Sequence, residues 1–264
     1  MSAFDRLCAL LLLLGAAHYS LAGETNYCDL DLCYGFEGHI ACNNTGGFAP
    51  ICASDVKIIP IRPELQEAII FRHNLYRNAI AGGWGQYKPA AHMALTRWNP
   101  ELARLAELNV RRCDAEHDLC RNTNDFNFAG QNIGVIYHRG NDFDAEQTAL
   151  HQIDTWFAES DLASMDTINE YRTPEDGTQI GSFTGMVQEM GNQMGCAILQ
   201  QTVIEDIVQQ ILTCNYSYIN IEGLPVYIPG EPGSKCTTGT DPTFKALCSA
   251  NEFYDVNDIP HYKE

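Results

Sequence analysis

The sequence has few cationic side chains for its length. In 264 residues, 16 Lys and Arg stand against 34 Asp and Glu, which gives a formal net charge of −18 at pH 7. A protein this acidic is repelled by the phosphates of nucleic acids and by anionic lipid surfaces. The composition therefore argues against nucleic acid and membranes as partners, and it favours a protein that stays soluble in a crowded fluid.

Long apolar runs are also missing. The run from Leu7 to Leu14 is far shorter than the roughly 20 apolar residues that a transmembrane helix needs. Small residues at Ser20 and Ala22 suit cleavage by signal peptidase, so residues 1–22 are predicted to be a signal peptide and the mature chain to begin at Gly23. We expect a secreted, extracellular protein without a membrane anchor.

The cysteines lack the close C-x-x-C pairs of zinc clusters, which argues against metal-binding cysteines. The chain has 11 Cys, and ten remain once Cys8 leaves with the signal peptide. An even number in an exported chain predicts about five disulfides. The ten are Cys28, Cys33, Cys42, Cys52, Cys113, Cys120, Cys196, Cys214, Cys236 and Cys248.

Composition divides the mature chain into three parts. Residues 23–62 are a Cys-rich extension with little periodicity, residues 63–222 carry the periodic segments, and residues 223–264 form a tail rich in Pro and Gly with a small disulfide loop. The glycosylation sequon that begins at Asn43 lies in the exposed extension. A second sequon, at Asn215, follows a Cys in a segment that we expect to be ordered.

Three segments have the apolar period of amphipathic helices. The first begins at Pro63 and is stopped by Gly82. Its expected apolar face is Leu65, Ile69, Leu75, Tyr76 and Ile80. The second has Asn99 as its N-cap, followed by Pro100, and its apolar residues are Leu102, Leu105, Ala106 and Val110. The third carries Ala149, Leu150, Ile153, Trp156 and Phe157 on one stripe.

Three strands are predicted, one at 131–137 and two around a turn near 203–206. If Cys196 and Cys214 face each other across an antiparallel hairpin, paired positions sum to 410 and the turn centres on Glu205. This register pairs Gln with Gln and apolar with apolar residues. A disulfide there would contribute about 3 kcal/mol in the chain-entropy model.

Several stretches, in this order, resemble one known superfamily. They are "YCDLDLC", "HIACNNTGGFAPIC", "FRHNLYRNAIAGG", "MALTRWNPELARLAE", "CRNT", "GQNI", "GSFTGMVQEMGNQMGCA", "CNYSYINIEGLPVY" and "KCTTGT". Together they resemble the CAP superfamily of cysteine-rich secretory, antigen 5 and pathogenesis-related proteins, and more narrowly its insect antigen 5-related, venom allergen 5-like branch. The resemblance implies an α+β fold, a three-layer α-β-α sandwich with a mainly antiparallel sheet, over residues 63–222.

The resemblance also implies disulfide pairs and a cleft. The implied pairs are Cys28–Cys42, Cys33–Cys120, Cys52–Cys113 and Cys196–Cys214, which leaves Cys236–Cys248. Two His and two acidic residues line the family's cleft and in some members hold a divalent metal. The matching positions here are His117, Gln131, Glu159 and Ser182. Since Ser and Gln are poor zinc ligands, we expect neither a metal nor another cofactor.

Two functions remain open from the sequence. The first is a secreted, non-enzymatic, monomeric protein that binds a lipid or sterol, or an extracellular protein partner. The second is a secreted hydrolase that uses Ser182, His117 and Glu159 as a triad, although "GSFTG" is not the G-x-S-x-G elbow. The alternative role for His117 is structural, as a partly buried side chain paired with Glu159.

The remaining conspicuous residues are predicted to belong to the scaffold. Trp98 and Trp156 are assigned to the core, and His73 with Asn74 to helix packing. In the stretch 180–199, Phe183, Met186 and Val187 are expected to pack inward. Trp84 lies in a Gly-rich loop, where a large aromatic is either tucked under or offered to a partner.

Overall fold

The computed structural model describes residues 24–140 and 142–259. The predicted signal peptide lies outside the described residues, as do the last five residues of the tail. The α-helices are α1 (Pro63–Ala81), α2 (Pro100–Val110), α3 (Ala145–Ala158), α4 (Met165–Asn169) and α5 (Gly181–Met186). The strands are β1 (Lys57–Ile59), β2 (Arg97–Trp98), β3 (Gly130–Arg139), β4 (Gln193–Ile204) and β5 (Ile207–Tyr216). In the described chain, no helix is both long and apolar enough to cross a bilayer.

The strands form one sheet in the order β1-β4-β5-β3, with every neighbour antiparallel. The short strand β2 runs parallel to β4 beside β1. Strand side chains alternate between the two faces. Ala197, Leu199 and Ile211 pack with α2 on one face, whereas Ile198 and Leu212 belong to the larger core on the opposite face. The fold is therefore the predicted three-layer sandwich with a mainly antiparallel sheet.

The predicted cap of α2 is confirmed, and α3 has a cap that was not predicted. The Asn99 side chain accepts a hydrogen bond from Leu102 N at 2.9 Å, and Pro100 occupies the first turn of α2. Asp144 caps α3 in the same way, through the main-chain N–H groups of its first turn. The predicted apolar stripes of α2 and α3 are buried.

The prediction that Leu75 of α1 lies in the core is wrong. Leu75 is 43% exposed, and the helix instead turns His73 and Arg77 inward, both fully buried. The Arg77 guanidinium donates to the main-chain carbonyls of Ala94, Met186 and Gln188. A buried cation is tolerated there because its donors are satisfied.

The β4–β5 hairpin has the predicted register near its disulfide, since Cys196 pairs with Cys214. The turn differs from the prediction. A bulge in β4 after Thr202 shifts the register, so Ile204 pairs with Ile207 and a two-residue turn, Glu205 and Asp206, closes the hairpin. Glu205 has φ 45°, a left-handed conformation that such tight turns require. A bulge cannot be read from the alternation of residue types alone.

Helix α2 approaches β4 closely at Gly195. A Cβ atom on Gly195 would lie 2.2 Å from Ala103 N and 2.5 Å from Asn99 O. Only glycine leaves room for the first turn of α2 against the sheet, and this contact brings the helix onto the strand.

Five disulfides connect the extension, the sandwich and the tail. They join the pairs that the resemblance implies, Cys28–Cys42, Cys33–Cys120, Cys52–Cys113 and Cys196–Cys214, together with the remaining pair Cys236–Cys248. Two of these bonds tie the N-terminal extension to the loop that carries His117. The tail also packs inward, because Tyr227 and Leu247 lie in the larger core and are fully buried.

Candidate functional site

A cleft of about 570 Å³ lies at the β3 side of the sheet. His117, Gln131 and Ser182, three of the four predicted positions, line it. The fourth, Glu159, follows the end of α3, and its carboxylate reaches the main chain next to Ser182. The cleft therefore gathers side chains from the loop before β3, from β3 itself and from α5.

His117 has a different environment from the predicted one. It is exposed rather than partly buried, and its Nδ1 lies 2.9 Å from Gln131 Oε1. Within the residues that the structure describes, no hydrogen bond or ion pair joins His117 to Glu159 or Ser182. Because an amide oxygen only accepts, Nδ1 of His117 is the donor in this hydrogen bond.

Gln131 is held rigidly by its neighbours. Its Oε1 also accepts from Asp118 N at 3.2 Å, while its Nε2 donates to Asp118 Oδ2 at 2.7 Å and to Asn215 Oδ1 at 3.0 Å. The amide is therefore fully engaged on both ends. Its role is to fix the loop that carries His117 to the beginning of β3.

Asp118 is a residue of this site that the sequence interpretation missed. Its carboxylate is buried and accepts from Asn109 Nδ2 at 2.7 Å, with Arg112 and Arg121 each 3.4 Å away. The available signal was an acid three residues before Arg121 and directly after the candidate His117. Buried charges need such partners, so Asp118 anchors the cleft wall.

Glu159 serves the backbone of α5. Its Oε2 accepts a hydrogen bond from Phe183 N at 2.9 Å, in the first turn of a helix whose N-cap residue, Ile180, supplies no side-chain bond. An anionic acceptor at that position satisfies a free N–H group. Ser182 is half-buried beside it, and its main-chain oxygen accepts from Asn132 Nδ2 at 2.9 Å.

A buried network forms the floor of the cleft. Tyr216 Oη lies 3.0 Å from His73 Nε2 and 3.2 Å from Asn132 Nδ2. Since His73 Nδ1 lies 2.9 Å from the carbonyl oxygen of Ile69 and donates to it, Nε2 accepts from the Tyr216 hydroxyl. Burial lowers the pKa of His73 to about 4 and raises the pKa of Tyr216. Both groups are therefore neutral at physiological pH, and the floor carries no charge.

The donor set does not fit the divalent metal that the resemblance implies. His117 and Glu159 are the only imidazole and carboxylate among the four positions. Gln131 Oε1 is already occupied by two hydrogen bonds, and Glu159 is held by Phe183 N. A zinc site needs at least three such ligands converging on one point.

The scaffold residues mostly lie where they were predicted. Phe183, Met186, Val187 and Trp156 are buried, as are His73 and Asn74. Trp98 is half-buried and packs at the margin of the larger core. Trp84 is 45% exposed, with its ring centroid 5.3 Å from that of Phe157, so it is partly tucked against α3 and partly offered to solvent.

Comparisons with known proteins agree with this architecture. The model of the CAP, or cysteine-rich secretory protein, family matches residues 70–216. The chain is 37% identical over 228 residues to Venom allergen-1 of Aedes albopictus, which covers 86% of this chain and 88% of that protein. It is 39% identical over 188 residues to Antigen 5 like allergen Cul n 1 of Culicoides nubeculosus, which covers 68% and 85% respectively.

A solved structure, the crystal structure of NaASP2 with Zn²⁺, has a similar fold. The TM-score is 0.57 at 21% identity, and the match covers 77% of this chain and 100% of that chain. At this identity the likeness concerns the fold alone. The family match, the two relatives and the shared three-layer fold lead to one conclusion: the chain belongs to the CAP family of cysteine-rich secretory proteins, with insect venom allergen-like and antigen 5-like relatives.

Proposed function

We propose that this chain is a secreted, non-enzymatic CAP protein that binds an extracellular protein partner through the cleft. The observation that carries this proposal is the position of Leu119, which lines the cleft and is 87% exposed. Together with Tyr171 and Ile219 it gives the cleft an apolar surface beside fixed hydrogen-bonding groups, a combination typical of a binding site. Leu119 is anchored by its neighbours, since Asp118 is buried and Cys120 is in a disulfide.

Secretion is supported by three observations. Ten cysteines of the described chain form five disulfides, and disulfides form and persist in oxidising compartments such as the outside of the cell. The relatives carry venom allergen and antigen 5-like names. The sequence predicts a cleavable signal peptide at residues 1–22.

The geometry favours binding over hydrolysis. A triad needs the base within about 3 Å of the nucleophile and a carboxylate that orients the base. Here His117 Nδ1 is held by Gln131, and Glu159 is held by Phe183 N. The carboxylate is therefore engaged with the backbone instead of the imidazole, and Ser182 lacks the activation that nucleophilic catalysis requires.

Photo-crosslinking tests this proposal. Benzoylphenylalanine would replace Leu119 in one variant and Ile51 in a matched control, because Ile51 is 72% exposed and lies outside the cleft lining. Each variant is irradiated in serum as a mixture of extracellular proteins. We expect a discrete adduct from position 119 that wild-type protein suppresses by competition. Equal adducts from both positions, or none, would contradict a partner-binding cleft.

A second candidate function, binding of a lipid or sterol, is favoured by a separate groove between α1 and α3. The groove measures about 660 Å³, and Phe71, Leu75 and Leu150 line it with charged residues at its margin. Phe71 is 53% exposed and Leu75 43%, although apolar side chains of that size are usually buried. A native mass spectrum of the secreted protein, beside a denaturing spectrum, would reveal a bound lipid as a mass lost on denaturation.

A further inference from the structure

Strand β3 is an edge strand, and the register shows which of its main-chain groups are free. Ser217 N donates to Gln193 O at 2.9 Å, and these positions sum to 410, as do the paired residues of β4 and β5. In an antiparallel ladder, hydrogen-bonded and non-hydrogen-bonded pairs alternate. Odd-numbered residues of β5 therefore bond to β4, and even-numbered residues of β5 bond to β3.

The same alternation continues into β3. Its paired positions with β5 run from Gly130 with Tyr216 to Arg139 with Ile207 and always sum to 346, so the bonded residues of β3 are also even-numbered. The N–H and C=O groups of the odd-numbered residues point away from the sheet. These residues are Gln131, Ile133, Val135, Tyr137 and Arg139. In the described part of the chain, no strand pairs with β3 on this side.

This edge lacks the usual protection against pairing. Natural edge strands carry Lys or Pro, or are very short, whereas β3 has ten residues and its segment 131–137 contains neither a charge nor a proline. Ile133 and Val135 are half-buried, and Tyr137 is 60% exposed. From residue 131 to residue 137 the free edge is about 20 Å long, at roughly 3.3 Å per residue.

The free edge begins in the cleft and continues beyond it. Its residues Gln131 and Ile133 line the cleft, with His117 beside Gln131 on the α2 face. Asn132 lies on the opposite face, where it bonds to Ser182 of α5. An incoming strand would therefore meet main-chain donors and acceptors in the middle, and side-chain contacts would alternate above and below the sheet.

We propose that the free edge of β3 binds an extended, basic polypeptide segment of a partner protein by adding it to the sheet as a further strand. This inference rests on the proposed function, because it specifies how the cleft holds its partner. The charge of the chain favours a cationic segment: the net charge is −18, and Glu222 stands exposed among the cleft residues. The charge of Arg139, at the far end of the edge, is offset by Asp206, whose carboxylate lies 3.3 Å away. Hydrogen bonds from Thr173 lower the pKa of Glu222, so its carboxylate remains ionised. A second copy of this acidic chain would be repelled.

The first test uses amide hydrogen exchange measured by NMR on the full secreted chain. The probe is a ten-residue peptide of alternating lysine and valine, blocked at both ends. We expect slower exchange at the amides of Ile133, Val135 and Tyr137 when the peptide is added, with the even-numbered amides of β3 unchanged. An alternating glutamate and valine peptide is the control. Equal protection by both peptides, or no protection of the odd-numbered amides, would overturn the proposal.

The second test removes one outward-pointing donor. Val135→Pro deletes an N–H that faces solvent and leaves the β5 ladder intact, which edge strands tolerate. Val135→Ala is the matched control, because it trims the same side chain and keeps the N–H group. Loss of main-chain hydrogen bonding should weaken peptide binding about tenfold in Val135→Pro and little in Val135→Ala. Equal affinity in the two variants contradicts strand addition even if either variant is less stable.

The outcomes separate the two proposals. If the crosslink at position 119 captures a partner and Val135→Pro still binds it, the cleft binds proteins but not through the strand edge. If no partner is captured, the proposed function fails with the inference. Sedimentation that shows a dimer, with the odd-numbered amides already protected in the absence of peptide, would assign the edge to a second copy and overturn the choice of partner.

Discussion

His92 Nε2 lies 2.8 Å from Glu252 Oε1, which joins the loop after α1 to the C-terminal tail. On its other side, His92 Nδ1 lies 3.7 Å from the Glu189 carboxylate, a distance that makes an ion pair but not a hydrogen bond. The ring of Tyr254 packs against the imidazole, with centroids 4.7 Å apart. One imidazole therefore connects two buried carboxylates outside the cleft, a cluster that the sequence interpretation did not find.

This cluster predicts a pH dependence of stability. The Glu189 carboxylate, together with Glu252, raises the pKa of His92 above its ordinary value, although burial of the imidazole opposes the shift. Burial alone would raise the pKa of Glu252, but hydrogen bonds from Thr238, His92 and the main chain hold it well below its usual range. Glu252 therefore stays ionised wherever His92 titrates.

The sign follows from linkage. A histidine with a raised pKa in the folded state contributes its full stability below the unfolded pKa, about 6.5, and loses it as pH rises through the folded value. We expect the melting temperature to fall as the pH rises from about 6.5 through the folded-state pKa of His92, by about 2–4 °C for each kcal/mol of lost ion pairing. His92→Gln should remove this component. His151→Gln, at an exposed helix position, is the control, and an unchanged pH profile in His92→Gln would contradict the account.

Tyr216→Phe tests the floor of the cleft. The substitution leaves His73 Nε2 and Asn132 Nδ2 without the hydroxyl that they share, inside a buried site. Unsatisfied buried polar groups cost about 1–3 kcal/mol, so we expect a loss of that order in the free energy of unfolding by urea. Tyr34→Phe, at an exposed tyrosine, should change it little. Equal losses in the two variants would show that the network does not stabilise the floor.

Gly195→Ala tests the contact between α2 and the sheet. The added methyl group would meet the main chain of α2 at 2.2 Å, so the helix has to shift. Overpacking of this kind costs about 1–3 kcal/mol in unfolding free energy. At Gly181 an added Cβ meets nothing within 4 Å, so Gly181→Ala should be close to neutral. A destabilisation that is as large at 181 as at 195 would contradict the assigned cause.

Glycosylation should distinguish the two sequons. Asn43 is exposed, whereas Asn215 is fully buried and its Nδ2 donates to Leu102 O at 3.2 Å. We expect peptide mapping of protein secreted from insect cells to find a glycan on Asn43 and none on Asn215. Thr45→Ala should abolish the modification without changing Asn43. A glycan at Asn215 would mean that the strand is modified before it enters the sheet.

The sequence predicted elements whose signals are local. Asn99 and Pro100 mark the start of α2 because capping depends on neighbouring residues, and the two cysteines of the hairpin define its register because a disulfide limits the separation of its Cα atoms. Leu75 was misassigned to the core, and the burial of Arg77 was not predicted, for the opposite reason. The carbonyls that make burial of Arg77 favourable come from distant segments, around residues 94 and 186–189.

The cleft was predicted in composition but not in geometry. The resemblance identified His117, Gln131, Glu159 and Ser182, yet it did not reveal that Gln131 bonds to His117 or that Glu159 caps α5. Those pairings depend on how the side chains are oriented, and the same residue types occur in many sequences with other orientations. The residues of β3 likewise do not reveal that it is an edge strand, because the order of the strands is a property of the whole sheet.

A cleft that binds a partner without catalysis has no activated serine. Labelling of the secreted protein with a fluorophosphonate probe, which reacts with activated serines, tests this directly. Wild-type protein is compared with Ser182→Ala and with heat-denatured wild type. We expect no labelling of Ser182 above the denatured background, because His117 and Glu159 are both engaged elsewhere. Labelling of native wild type that disappears in Ser182→Ala would contradict it and establish the hydrolase.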